Sequence, residues 1–165
     1  MFLKVSVTKT KVVRPTKSTF LGFTFWKDAK GWKSKPAKDR KKRLYDKVKE
    51  VLCRRKAAAI PLAVTFTKVN QIVRGWINYF RIGSMKLFLD EFGQWMRHKI
   101  RVIIIKQWKN CETIRKNLWK LNIMFKCGFT DEDIRKVSGS RLGWYRRCGW
   151  RTANLLLSPK VLAIK

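Results

Sequence analysis

The stretch Val69-Asn70-Gln71-Ile72-Val73-Arg74-Gly75-Trp76-Ile77-Asn78-Tyr79-Phe80 constrains the fold most strongly. At 3.6 residues per turn, Val69, Ile72, Val73, Trp76, Tyr79 and Phe80 fall on one stripe, the pattern of an amphipathic helix. Lys68, Gln71, Arg74, Asn78 and Arg81 take the other side. A stripe holding Trp, Tyr and Phe needs a partner surface, because each ring buries a large apolar area. Gly75 stands out in mid-helix, where glycine costs about 1 kcal/mol relative to alanine. Either a neighbouring helix packs closely on that bare backbone, or a bulky ligand approaches there.

Two further stripes flank this one. Residues 38–55 place Leu44, Val48, Val51 and Leu52 on one face. After Gly83, Ser84 suits an N-cap for a third helix carrying Met85, Phe88, Leu89, Phe92, Trp95, Met96, Ile100 and Ile103 on its apolar side. Lys86, Arg97, His98 and Arg101 are expected on the outer side of that helix. Three amphipathic helices with short connections predict a small bundle. Upstream, residues 1–14 read as extended and Thr19–Trp26 as a second strand, followed by a turn over Asp28–Gly31. That is too little strand for a separate sheet, so the segment reads as the edge of a larger one. Downstream come short capped pieces: Thr113 ahead of Ile114, Leu118 and Leu121, then a capping box at Thr130–Asp133, then Ser158-Pro159 opening a last helix.

Charge sets the partner class. Lys and Arg number 40 against 10 Asp and Glu, a formal net charge of +30. Such a surplus strains a compact chain unless a polyanion neutralises it. Nucleic acid is the favoured polyanion, because counterion release rewards dense Lys/Arg placement; an anionic membrane surface is the lesser alternative. With RNA as ligand, its backbone becomes the group that would approach Gly75. The run Lys27–Arg43 holds nine basic residues against Asp28 and Asp39, and Arg54-Arg55-Lys56 forms a second cluster. Arg141–Arg151 interleaves arginines with aromatics, which suits base stacking or phosphate contact, and equally a small aromatic core with a basic rim. No run of 18 apolar residues spans a bilayer. The four Cys stand far apart and there is one His, so no metal site is expected; the acids at 131–133 read as cap groups. Reduced thiols and the absence of a signal-peptide pattern at the first residues point to the cytoplasm.

Several motifs together resemble a known family. Lys9-Thr10-Lys11 followed by Phe20-Leu21-Gly22-Phe23 is similar to the last palm motifs of group II intron-encoded reverse transcriptases. Arg74-Gly75-Trp76-Ile77-Asn78-Tyr79-Phe80 resembles the signature of their maturase (X, or thumb) domain. Lys106-Gln107-Trp108-Lys109 and Trp150-Arg151-Thr152-Ala153-Asn154 look like its later positions. The resemblance implies a mainly α fold: a palm-edge β-hairpin at 1–33, a three-helix maturase domain at 34–108, and a small basic helical region at 109–165. It implies a chain that binds group II intron RNA and assists its folding and splicing, with an RNA–DNA duplex as a further ligand.

The family's paired palm aspartates lie upstream of the Lys-Thr motif, and no Asp or Glu precedes Asp28 here. Two-metal phosphoryl transfer needs such carboxylates. The expectation is therefore no catalytic residue, no metal, no cofactor and no polymerase activity from this chain alone. The alternatives are the thumb of a split reverse transcriptase that needs a separate fingers/palm chain, and a decayed fragment of one. Expected RNA contacts are Lys9, Lys33, Lys35, Lys38, Lys41, Lys42, Arg54, Arg55, Arg74, Asn78, Arg81, Arg97, Arg101, Lys106, Arg146 and Arg147.

Overall fold

The structure, a computed structural model, describes residues 12–159. The strand expected in residues 1–14 falls almost wholly outside them, as do Lys9 and all but the first residues of a helix at Ser158-Pro159.

A 3-10 turn at Pro15–Lys17 leads into three strands, β1 (Thr19–Phe20), β2 (Phe23–Asp28) and β3 (Gly31–Pro36). They form an antiparallel sheet in the order β1-β2-β3. Leu21 and Gly22 close the first hairpin with φ of 50° and 81°, the left-handed pair that a two-residue hairpin turn requires. The sequence reading differs here: the local strands build a sheet of their own, with the apolar β2 in its centre. The missing strand was hidden in the charge run. Its Lys33 pairs in register with Trp26, lies over that ring at 5.4 Å and forms an ion pair with Asp28 at 2.5 Å. A lysine stem laid along an aromatic face stands in for an apolar strand residue.

The helical body follows. Helix α1 (Lys38–Val51) ends at Leu52, and a short α2 (Arg54–Ala57) replaces the continuous helix expected to Arg55. Helix α3 (Leu62–Phe80) begins about two turns before the Val69 at which the amphipathic stretch opens, with Pro61 in the N-cap position. Its axis presents Val69 and Phe80 to the core, with Ile72, Val73 and Trp76 half-buried; Tyr79, expected inside, is exposed. Helix α4 (Lys86–Gln107) starts after Met85, not Ser84. The Ser84 amide instead donates to the Ser34 carbonyl of β3 at 2.7 Å. A Cβ on Gly83 would lie 3.2 Å from the Phe23 ring and 3.3 Å from the Ser34 oxygen, so glycine lets the α3–α4 corner seat on the sheet.

Helices α5 (Cys111–Phe125), α6 (Asp131–Gly139), α7 (Trp144–Arg147) and α8 (Arg151–Leu156) complete the described chain. The capping box is formed: Thr130 Oγ1 accepts from the Asp133 amide, and Asp133 accepts from the Thr130 amide. Asp131 receives a two-pronged hydrogen bond from Arg115 of α5 at 3.0 and 2.9 Å, which ties the two helices. One apolar core runs through the body, from Leu44 and Val48 through Phe92, Ile103 and Ile105 to Ile114, Leu118, Ile134 and Leu156. The protein is thus mainly helical, behind a small N-terminal antiparallel sheet. Among the described residues no helix is long and apolar enough to cross a membrane.

Candidate nucleic-acid interface

Helices α1 and α3 lie side by side and leave a groove of about 610 Å³ between them. Arg40, Arg43 and Lys47 line it from α1, Ile72, Gly75, Trp76 and Tyr79 from α3, and Leu21 from the hairpin turn. Gly75 decides how the groove is read. A Cβ placed on it meets nothing within 4 Å, so no neighbouring helix packs on its backbone. The bare peptide faces open space beside three cations. Trp76 forms the floor, its ring 4.6 Å from Phe80 and 5.3 Å from Phe88, and its buried indole N–H has no partner among the described residues. At the rim, Gly22 leaves room for Arg40, whose Nε would be 3.0 Å from a Cβ there. That nitrogen lies 3.4 Å from Asp39 Oδ2, close enough for attraction but without hydrogen-bond alignment.

The expected contact residues divide into several groups. Lys35, Lys38 and Lys42 are exposed where β3 passes into α1, and Arg54 and Arg55 are exposed on α2. Arg74, Asn78 and Arg81 are exposed along α3. Lys33 is engaged by Asp28 and Trp26, and this hydrogen bond, with one from the Ala29 amide, holds the Asp28 carboxyl below its usual range. Lys41 is half-buried with its ammonium 5.0 Å from the Phe88 ring, and burial followed by the Lys35 charge lowers its pKa. Arg97 and Lys106 are half-buried, and Arg146 is exposed.

Two expected surface residues are buried. Arg101 lies inside, where α7 and α8 cover the face of α4 that the sequence assigned to solvent. Arg147 is a strut: its Nε donates to the Val137 carbonyl at 3.0 Å and its Nη2 to the Ser138 carbonyl, holding the end of α6. Sequence reasoning missed Arg40, Arg43 and Lys47 as one group. Their i, i+3, i+7 spacing was the available signal, obscured by the surrounding lysines. Among the described residues no three His, Cys, Asp or Glu side chains gather as metal ligands would.

A helical body this basic, with aromatic groove floors and exposed cations in rows, defines a scaffold suited to phosphate backbones. Residues 41–122, about half of the chain, match the family described as group II intron, maturase-specific domain. Over that segment, which holds most of α1 and runs through α3 and α4 into α5, the chain belongs to this family. No curated protein matches it.

Proposed function

We propose that the chain binds group II intron RNA and assists its folding and splicing, taking the phosphate backbone into the α1–α3 groove. One observation carries this reading: within a maturase-specific segment, the mid-helix Gly75 is open to solvent beside Arg40, Arg43 and Lys47. A bare glycine backbone admits a sugar–phosphate chain closer than any side chain would, and flanking guanidinium forks match phosphate geometry. In this reading residues 34–108 grip the RNA, flanked by the segment 1–33 and the region 109–165. On this reading the chain acts as an RNA binder and not as a polymerase by itself, which primer extension with template, primer and Mg²⁺ tests. Its four unpaired cysteines suit the cytoplasm.

Binding across a salt series tests the proposal. Of the five lysines of the basic run expected to contact RNA, Lys33 and Lys41 are engaged internally, which leaves Lys35, Lys38 and Lys42 for phosphates. Replacing these three with Gln should flatten the plot of log affinity against log salt by about 2–3 units, at roughly 0.7–0.9 per contact. The loss should be equal for intron RNA and a scrambled control, because phosphate contacts position without specifying. Arg74→Gln with Asn78→Ala should instead reduce the preference for intron RNA. An unchanged slope in the first variant would show that these lysines are only a solvated face.

A second reading has its own observation. Phe20 and Leu21 at the first hairpin are 64% and 65% exposed, an apolar tip suited to docking a separate fingers/palm chain. Primer extension on an RNA–DNA duplex that appears only when such a chain is added would favour it.

A further inference from the structure

A second basic site lies on a different stripe of α4 from the one that packs on α1. There α4, the α7–α8 turn and α8 border an open cleft of about 1030 Å³, slightly above the range of roughly 300–1,000 Å³ usual for ligand pockets. Arg97, His98 and Arg101 enter it from α4, Arg151 and Asn154 from α8. Among the described residues no carboxylate lines it.

Arg101 is the informative member. It is 6% exposed, yet no hydrogen bond or ion pair engages its guanidinium among the described residues, and its Nε is fully enclosed without a partner. Buried guanidinium groups are ordinarily paired, because an uncompensated interior charge is strongly unfavourable. Arg147, buried nearby, shows the ordinary case with its two carbonyl acceptors. The neighbours of Arg101 worsen its position. Arg97 adds a like charge, and His98 presents a buried Nε2 that also lacks a partner. Gly149 of the α7–α8 turn faces the His98 ring, where a Cβ would be in ordinary contact at 3.7 Å.

An anion with several acceptor oxygens answers all these features together: a fixed buried cation, a flanking fork, two unpartnered nitrogens and an amide from Asn154. We infer that this cavity is a phosphate-recognition site, with Arg101 as its anchor, and that it takes a backbone phosphodiester of single-stranded RNA. The choice of RNA as the source of the phosphate rests on the reading above; the phosphate site does not.

Calorimetric titration of the full chain at constant ionic strength tests it, with inorganic pyrophosphate, UMP and a uridine hexamer as probes. Arg101→Met keeps the volume and removes the charge. It should bind pyrophosphate and the hexamer about tenfold or more weakly, while melting at an equal or higher temperature because an unpaired buried charge is gone. Lys116→Gln, which removes a cation on α5 outside the cavity, should leave both affinities unchanged. The double variant Arg97→Gln/Arg151→Gln alters the rim rather than the interior and should weaken both probes several-fold, which keeps the test decisive if Arg101→Met does not fold. Equal weakening in the rim variant and in Lys116→Gln would reduce the effect to general charge attraction and overturn the site. UMP binding as tightly as the hexamer would overturn the assignment to RNA. These readouts use no intron RNA, so they stand or fall separately from the lysine salt slope.

Discussion

Replacing Gly75 with alanine should make the protein more stable and a poorer RNA binder, two effects of opposite sign from one methyl group. The stability half follows from the free structure. Gly75 has an ordinary helical φ, since the positive-φ glycines are Gly22, Gly31 and Gly128. The added Cβ meets nothing within 4 Å, so it meets no steric penalty. What remains is helix propensity and a less flexible unfolded chain, together worth about 0.5–1 kcal/mol in favour of alanine. For a chain of this size that is a rise of about 1–4 °C in melting temperature. The binding half follows from the groove, where a methyl on the α3 backbone stands between it and a phosphate held by Arg40, Arg43 and Lys47. Gly75→Met, with a longer side chain over the same floor, should weaken intron RNA binding by about tenfold, or 1.4 kcal/mol. Thermal melting by circular dichroism and fluorescence anisotropy with labelled intron RNA measure the two halves. A lower melting temperature for Gly75→Ala would reveal a packing contact absent from the described structure. Undiminished RNA affinity in Gly75→Met would remove the groove from the interface.

Arg147→Ala should destabilise the fold by about 2–4 kcal/mol, because it strands two buried carbonyls at the end of α6; a melting temperature within a degree of the parent would contradict the strut. In the native protein Cys111 should react readily with a thiol reagent and Cys148 should not, since Cys148 is fully buried and burial pushes its pKa up to about 12. Modification of Cys148 at the rate of Cys111 would show that α7 opens freely. His98, the sole histidine, has its pKa lowered first by burial and then by the Arg101 charge. The unfolded chain therefore takes up a proton near pH 6.5 that the folded chain resists, so this stabilisation is complete above about pH 6.5 and is lost as pH falls through the depressed folded value. Melting temperatures from pH 7.5 to 5.5 should decline more in the parent than in His98→Gln, and parallel curves would refute the linkage.

The helical body was legible because its signals are local. The stripe from Val69 to Phe80 needed only the helical period, and the Thr130–Asp133 box needed only a four-residue spacing. What escaped reading depends on what covers a residue. Arg97, His98 and Arg101 stand at spacings that put them on one face of α4, and their sequence neighbours say nothing of α7 and α8 closing over that face. Arg147 reads as one cation in a basic run, and only the fold delivers the carbonyls of Val137 and Ser138 to it. Strand β3 was lost for a related reason: its lysines fit a sheet only because Trp26 and Asp28 lie opposite. The Gly75 question was visible in the sequence with two answers, and the open space beside its Cα removes the packing one.

Aromatic rings run unbroken from the sheet to α4. Phe23 touches Tyr79 and Phe80, Phe80 touches Trp76, Trp76 touches Phe88, and Phe88 touches Phe92 and Tyr45. Rings packed at interior density leave little room for one to move without its neighbour. Tyr79 adds a tie by donating from its hydroxyl to the Leu21 carbonyl at 3.0 Å, across 58 residues of sequence. A displacement of the hairpin therefore meets the aromatic series and the Tyr79–Leu21 hydrogen bond as well as the backbone at Ala37.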